Sequence, residues 1–132
     1  MRDPSASRLL LQDHRTRPLT VLDLERTRLD NADLAFLSAC STARAGVDLP
    51  DESIHLAAAC LLAGYLHVIA TLWPIDDADA VTVARTVYTS LLAPANGGAH
   101  SVARAVHDGA RALRYLYPRR PSRWASHIHV GP

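Results

Sequence analysis

The sequence predicts an α/β domain built on a mostly parallel sheet, and three observations carry that prediction. Two short apolar runs, "DLAFLSA" (residues 33–39) and "HVIATLW" (residues 67–73), read as buried strands. Segments with helical periodicity follow them, and strands alternating with helices call for a parallel sheet covered by helices. The 132 residues, 48% hydrophobic and 20% charged, are enough for one domain with its own core. The whole chain, residues 1–132, reads as a single domain.

The elements follow in order. The first seven residues are polar and loop-like, "RLLLQ" (8–12) is a short strand, and "DHRTRP" is a turn. Thr20 carries a side-chain oxygen suited to capping the helix "VLDLERTR". After the strand at 33–39, "STARAGVDLPDE" is a polar connection. Asp51 or Ser53 can cap the next helix, which runs to about Tyr65. Its sequence, "IHLAAACLLAGY", is apolar nearly all round, which predicts burial on every side, and Gly64 suits its C-terminal end. Pro74 ends the strand at 67–73.

Asp76 or Asp77 can cap a helix from about Ala78 to Leu92, with Val81, Ala84, Tyr88 and Leu91 at helical spacing. "APANGGAH" is a loop. Ser101 opens another helix with Val102, Val106, Ala110, Leu113 and Leu116 on one face. "PRRPSR" closes it, and "WASHIHV" adds a last short strand or turn.

Composition removes several function classes. The net charge is +1, every one of the 14 basic residues is Arg, and they are scattered, so the dense basic stripe of a nucleic-acid surface is missing. Two cysteines, Cys40 and Cys60, make no disulfide framework, and Cys60 inside "LAAACLLAG" reads as a packed small hydrophobe. The N-terminus has no signal-peptide apolar region and no run is long enough to span a bilayer, so a reducing, cytoplasmic compartment is expected, with no membrane partner. A nucleotide-binding reading fits the strand–helix alternation but lacks a glycine-rich phosphate loop. Among the histidines, His127 and His129 would share a strand face, yet two imidazoles alone leave zinc short of ligands. His55 and His67 read as core or boundary residues, and His14 lies in a polar turn. No metal and no cofactor is expected.

The chemistry lies at strand ends. In open α/β sheets, reactive groups collect beyond the carboxyl ends of the strands. One end here carries Ser38-Ala39-Cys40, the other Trp73-Pro74-Ile75-Asp76-Asp77, and parallel strands would bring both to one rim. A nucleophilic cysteine needs a thiolate, hence a neighbouring base or positive dipole. Small neighbours, Ser38, Ala39 and Ser41, would let a substrate backbone approach. Taken alone, "SAC" fits a structural cysteine as well. Asp76 and Asp77 likewise have a plain reading as helix caps beside a positive helix end, and Trp73 as a buried structural residue.

Taken together, "LAFLSACSTA", "DESIHLAAACLLAGYLHVIATLWPIDDADAVTVARTVYTSLL", "ARAVHDGARALR" and "RWASHIHVG" resemble the CHAT domain in order and spacing, from about Ser7 to Gly131. That family is related to caspases and separases. The resemblance implies a caspase-like three-layer sandwich and places Cys40 at the position of the nucleophile. In active relatives a histidine in an "H…HG" motif on the preceding strand end activates the thiol, and the following glycine contributes an oxyanion-hole N–H. No "HG" occurs here, and the motif would lie upstream of "DPSASRLLL". The resemblance thus makes the chain an N-terminally truncated, partial domain that lacks its base and is expected to be inactive by itself. Losing one oxyanion donor alone costs roughly 100- to 1000-fold in rate.

The resemblance also assigns an acidic residue near the second strand end to a basic P1 side chain of a peptide or protein substrate. Asp77 is the better match, with Asp76 and Asp79 behind it and Trp73 as a wall of the pocket; a carboxylate there would pair bidentately with Arg. The alternative is a non-catalytic interaction module or pseudo-peptidase remnant. Relatives often sit beside TPR repeats or other signalling modules, and none is present in this sequence. Without its first strands, a caspase-like sheet would expose an edge prone to self-association.

Overall fold

Each of the two apolar strand runs becomes a strand, and they lie side by side. The computed structural model describes residues 8–9, 12–38, 50–93 and 102–132. The strands are β3 (Leu34–Leu37) and β4 (His67–Thr71), parallel, with Leu34 opposite His67 and Leu37 opposite Ala70. β5 (His127–Val130) flanks β4 on its other side, antiparallel, with Thr71 opposite His127 and Val68 opposite Val130. The sheet order is therefore β3-β4-β5.

The first segment forms a separate ribbon. β1 (Arg8–Leu9) pairs antiparallel with β2 (Leu19–Thr20), apart from the three-stranded sheet. Of the strand expected over 8–12, the part at 8–9 pairs with β2 and does not extend the three-stranded sheet, and residues 10 and 11 lie outside the described residues. α1 (Val21–Arg26) follows, capped as the sequence predicts. Thr20 Oγ1 accepts from the Asp23 backbone N–H, and the Asp23 carboxylate accepts from the Thr20 N–H, a reciprocal capping box. The Thr20 hydroxyl, which also donates to the Asp23 carboxylate at 2.6 Å, and then the Thr20 N–H hold that carboxyl below the usual carboxylate range.

α2 (Pro50–Ala63) carries the chain from β3 back to the start of β4, as a parallel pair requires. It begins earlier than expected, so Asp51 and Ser53 lie in its first turn rather than at its cap. At its other end the Gly64 N–H bonds the Leu61 carbonyl (3.0 Å) and the Tyr65 N–H bonds that of Cys60 (3.1 Å). This is a Schellman closure, with Gly64 at φ +114°.

Two long helices and a short one separate β4 from β5 among the described residues. α3 (Asp77–Leu92) and α4 (Val102–Leu116) pack on one another, and a short α5 (Pro121–Trp124) returns to the start of α3, where Arg123 meets Asp79. A chain that goes out along one helix and back along the next re-emerges at the rim it left. β5 must then run opposite to β4. This corrects the mostly parallel expectation: the three-stranded sheet is mixed, one parallel and one antiparallel pair.

Side chains alternate across this sheet and feed two cores. On one face, Ile69 packs with Val83 and Val87 of α3, Val106 and Leu113 of α4, and with Leu34 and Phe36. On the other, Ala35, Val68 and Ala70 pack with Ala57 and Cys60 of α2 and Leu24 of α1. Helices therefore cover both faces.

Three helical faces differ from expectation. On α3, Asp79, Val83 and Val87 are buried, whereas Val81 and Tyr88 are 54% and 47% exposed. The buried line is set by α4, where a Cβ added at Gly109 would sit only 3.2 Å from Val83 Cγ1. On α2, Ala57, Ala59, Cys60 and Ala63 are buried, but Ile54 and Leu62 are exposed, so burial is one-sided. The sheet and α1 cover the buried side of α2, and Ile54 and Leu62 lie on the side they leave exposed. α4 buries Val102, Ala105, Val106, Gly109 and Leu113, while Leu116, expected on that face, is exposed.

Candidate functional site

Parallel pairing of β3 and β4 brings their carboxyl ends to one rim of the sheet. Leu37 lies opposite Ala70, so Ser38 comes level with Thr71, the last residue of β4. Because β5 is antiparallel, its first residue, His127, stands opposite Thr71 at this same rim. Ser38 is exposed there. Cys40, the candidate nucleophile, lies outside the described residues, as do Ala39 and Ser41.

Beyond β4 the chain turns through Trp73-Pro74-Ile75 into α3. Trp73 is half-buried, and its indole N–H donates to the Ser122 carbonyl at 2.7 Å, fastening α5 to the strand end. Asp76 occupies the N-cap position of α3, but its side chain makes no capping bond. Its carboxylate instead lies 3.2 Å from the Arg123 guanidinium. The plain capping reading thus holds for the backbone position and not for the side chain. Asp77 is the first residue of α3 and is exposed.

Asp79, which sequence reasoning places behind the other two, is the buried member of the group at 2% exposure. Arg123 grips it with two parallel bonds, Nε to Oδ2 at 2.6 Å and an NH2-group nitrogen to Oδ1 at 2.8 Å. The same guanidinium lies over the Tyr117 ring, 3.8 Å from its centroid. Planar bidentate pairing and ring stacking are what Arg does and Lys does not. The bond to Asp79 is the largest cause holding the Arg123 guanidinium even more firmly protonated than usual.

Arg123 is the residue that sequence reasoning missed. A signal for it existed. Asp79, Val83 and Val87 recur at i, i+4 and i+8, and a carboxylate on an otherwise apolar helical line implies a buried cationic partner.

His127 completes the rim. Its ring is edge-on to Phe36, with centroids 6.3 Å apart, and its Nδ1 lies 3.1 Å from the Ser126 hydroxyl. Among the described residues its Nε2 is buried without a hydrogen-bond partner. Burial lowers its pKa, and the charge of Asp79 opposes that only in part.

A histidine whose folded pKa lies below its unfolded value, about 6.5, favours folding fully above that value. The contribution is lost as pH falls through the folded pKa, because the unfolded chain binds the proton first. Urea midpoints should therefore fall between pH 7.5 and pH 5.5. His127→Phe, which keeps the ring and removes the titration, should flatten that slope.

The second cysteine has no part in this rim. Cys60 is buried in the core between α2 and the sheet, and burial pushes its thiol pKa up, which keeps it protonated and unreactive. His55, expected as a core or boundary residue, is exposed on α2, and His67 pairs with His129 at the opposite end of the sheet. Among the described residues no group of three or more potential ligands could hold a metal ion, and no helix is long and apolar enough to cross a membrane.

A family model described as the CHAT domain matches residues 1–132. No curated protein and no solved structure matches the chain. The match covers the chain from end to end, and the chain belongs to the CHAT domain family, a caspase-like peptidase family.

Proposed function

We propose that this chain carries the nucleophile position of a caspase-like cysteine peptidase. The observation that carries the reading is the parallel pairing of β3 and β4, whose carboxyl ends share a rim as a two-ended site needs. The helix–sheet–helix layering is what the corresponding part of a three-layer caspase-like sandwich would have. Cys40, two residues beyond Ser38, is assigned as the attacking thiol. A peptide carbonyl would meet it beyond the end of β3, between small neighbours.

Asp77 is assigned to the basic side chain of a P1 residue, and Trp73 to the wall beside it. Asp76 and Asp79 already serve Arg123, so their contribution to substrate would be the framework that fixes the start of α3. The chain contains no "HG", the motif that carries the base in active relatives. By itself it is expected to be acylated or alkylated at Cys40 without turning peptide over. The test is covalent labelling by a peptidyl electrophile with Arg at P1, read by intact mass. Modification at Cys40, absent in Cys40→Ala and weakened in Asp77→Asn, supports the assignment.

The second reading, an interaction module in which Cys40 is a passenger, draws on two features. Ile54, Leu62 and Leu66 are exposed on and just after α2, and β3 has a strand partner on one side only among the described residues. A protein partner such as a TPR array, or a second copy of the chain, would cover them. Efficient labelling of Cys40 that depends on the peptide would argue against this reading.

A further inference from the structure

At the end of the sheet away from the rim, two imidazoles meet. His67 opens β4, and His129 lies diagonally across from it on β5, on the same face of the sheet. His67 Nδ1 and His129 Nε2 are 3.1 Å apart, with ring centroids at 5.2 Å and the rings tilted by 37°. At that distance one nitrogen donates and the other accepts. A neutral pair, or a pair holding one extra proton, satisfies this. Two imidazoliums cannot, because both nitrogens would carry hydrogens and both rings a positive charge in a partly buried place.

We infer that the His67–His129 pair is a proton-sensitive latch for β5, closed while at most one extra proton is shared between the rings and released when both are protonated.

The surroundings favour this. Facing the pair on β5 is His127, two residues along, whose own charge partner is Asp79. On β3, Leu34 lies beside His67, and the neighbouring Asp33 gives its backbone carbonyl to the His67 N–H at 2.9 Å, its side chain being exposed. The helices covering this face turn Val83, Val87, Leu91, Val102 and Val106 toward the sheet, while Arg85 and His107 are exposed. Burial, and then the charge of His67, lower the pKa of His129. No carboxylate within ion-pair distance compensates a second proton among the described residues.

The latch is coupled to the backbone through Gly131. This residue has φ +147°, and a Cβ there would sit 2.9 Å from His67 Nδ1 and 3.2 Å from His129 Nε2. The chain leaving β5 therefore rests against both rings, and parting them shifts the strand end. The rim end of β5 is tied differently. There the Leu72 N–H bonds the Ser126 carbonyl at 2.8 Å, and α5 is held by Trp73 and by the Asp79–Arg123 pair. Arg123 stays charged throughout the histidine range. Acid should thus fray β5 from Val130 toward His127.

The experiment is hydrogen exchange on the full chain, in EDTA, at pH 7.5 and pH 5.0, expressed as protection after correction for intrinsic rates. Protection over residues 128–131 should fall about tenfold, well beyond the smaller fall across α3 and α4 that global destabilisation brings. His129→Gln keeps a hydrogen-bonding amide without a titration and should abolish the fall; His127→Gln should leave it. Unchanged wild-type protection, or a His129→Gln chain with the same fall, would overturn the proposal. If His129→Gln does not fold, nitrogen-15 shifts of the wild-type rings decide. Two separated protonation steps shared by His67 and His129 support the latch, and two independent titrations near pH 6.5 contradict it.

Discussion

Replacing Arg123 with Ala is expected to lower the melting temperature by on the order of 10 °C, because it strands a buried carboxylate. The Asp79 side chain is 3% exposed, and Arg123 supplies both of the hydrogen bonds that its oxygens receive from side chains. Removing the guanidinium leaves the carboxylate desolvated and unpaired, and also uncovers Tyr117. Arg123→Lys should recover little, since an ammonium cannot form the fork or lie flat on the ring. The double change Asp79→Leu with Arg123→Met should recover most of the loss, because removing both charges removes the desolvation penalty along with the pair. Thermal melts of the four chains distinguish this account from a plain surface ion pair, for which Arg123→Ala would be nearly silent.

The second large effect sits at the end of α2. Gly64→Ala should destabilise the chain by about 3 kcal/mol, measured by urea denaturation. Two causes add. The φ of +114° is one that a side chain rarely adopts, and the new Cβ would run into the backbone carbonyl of Leu29. Backbone on the far side cannot swing away as a side chain could, and Leu29 is itself held by its N–H bond to the Ala63 carbonyl at 2.8 Å. A change below about 1 kcal/mol would mean that the segment around Leu29 yields, and that the close approach of α1's exit to α2 is not a fixed feature of the fold.

Sequence pattern made some of this legible and not the rest, for physical reasons. The strands at 34–37 and 67–71 stand out because β-branched and aromatic residues bounded by breakers have few other readings. Thr20 and Gly64 are legible because caps depend on local chemistry alone. The antiparallel course of β5 is not local: it follows from the out-and-back pair α3 and α4 intervening after β4. The buried face of α3 was obscured by Asp79, whose charge suggests solvent until Arg123, 44 residues later, is brought against it. The one-sided burial of α2 escaped pattern for the opposite reason. Alanine-rich apolar helices carry almost no amphipathic signal, so composition does not reveal which side meets the sheet. At the rim, the two strand ends and their shared side could be foreseen. The Arg123 brace and the approach of His127 depend on β5, whose direction the sequence left open.

Three aspartates close in sequence have three different positions: Asp79 inward to Arg123, Asp76 at the helix cap beside the same guanidinium, and Asp77 outward at the start of the helix. We assign only the outward one to a substrate side chain.

The central claim, that Cys40 holds a nucleophile's position at this rim, is tested most directly by the relative labelling of the chain's two cysteines. With a peptidyl electrophile carrying Arg at P1, the account predicts modification at Cys40 and none at buried Cys60, a rate well above that of the same warhead without its peptide, and loss of the adduct in Cys40→Ala. Labelling of Cys40 at the same rate with or without the peptide, or no preference for Cys40 over Cys60, would contradict it.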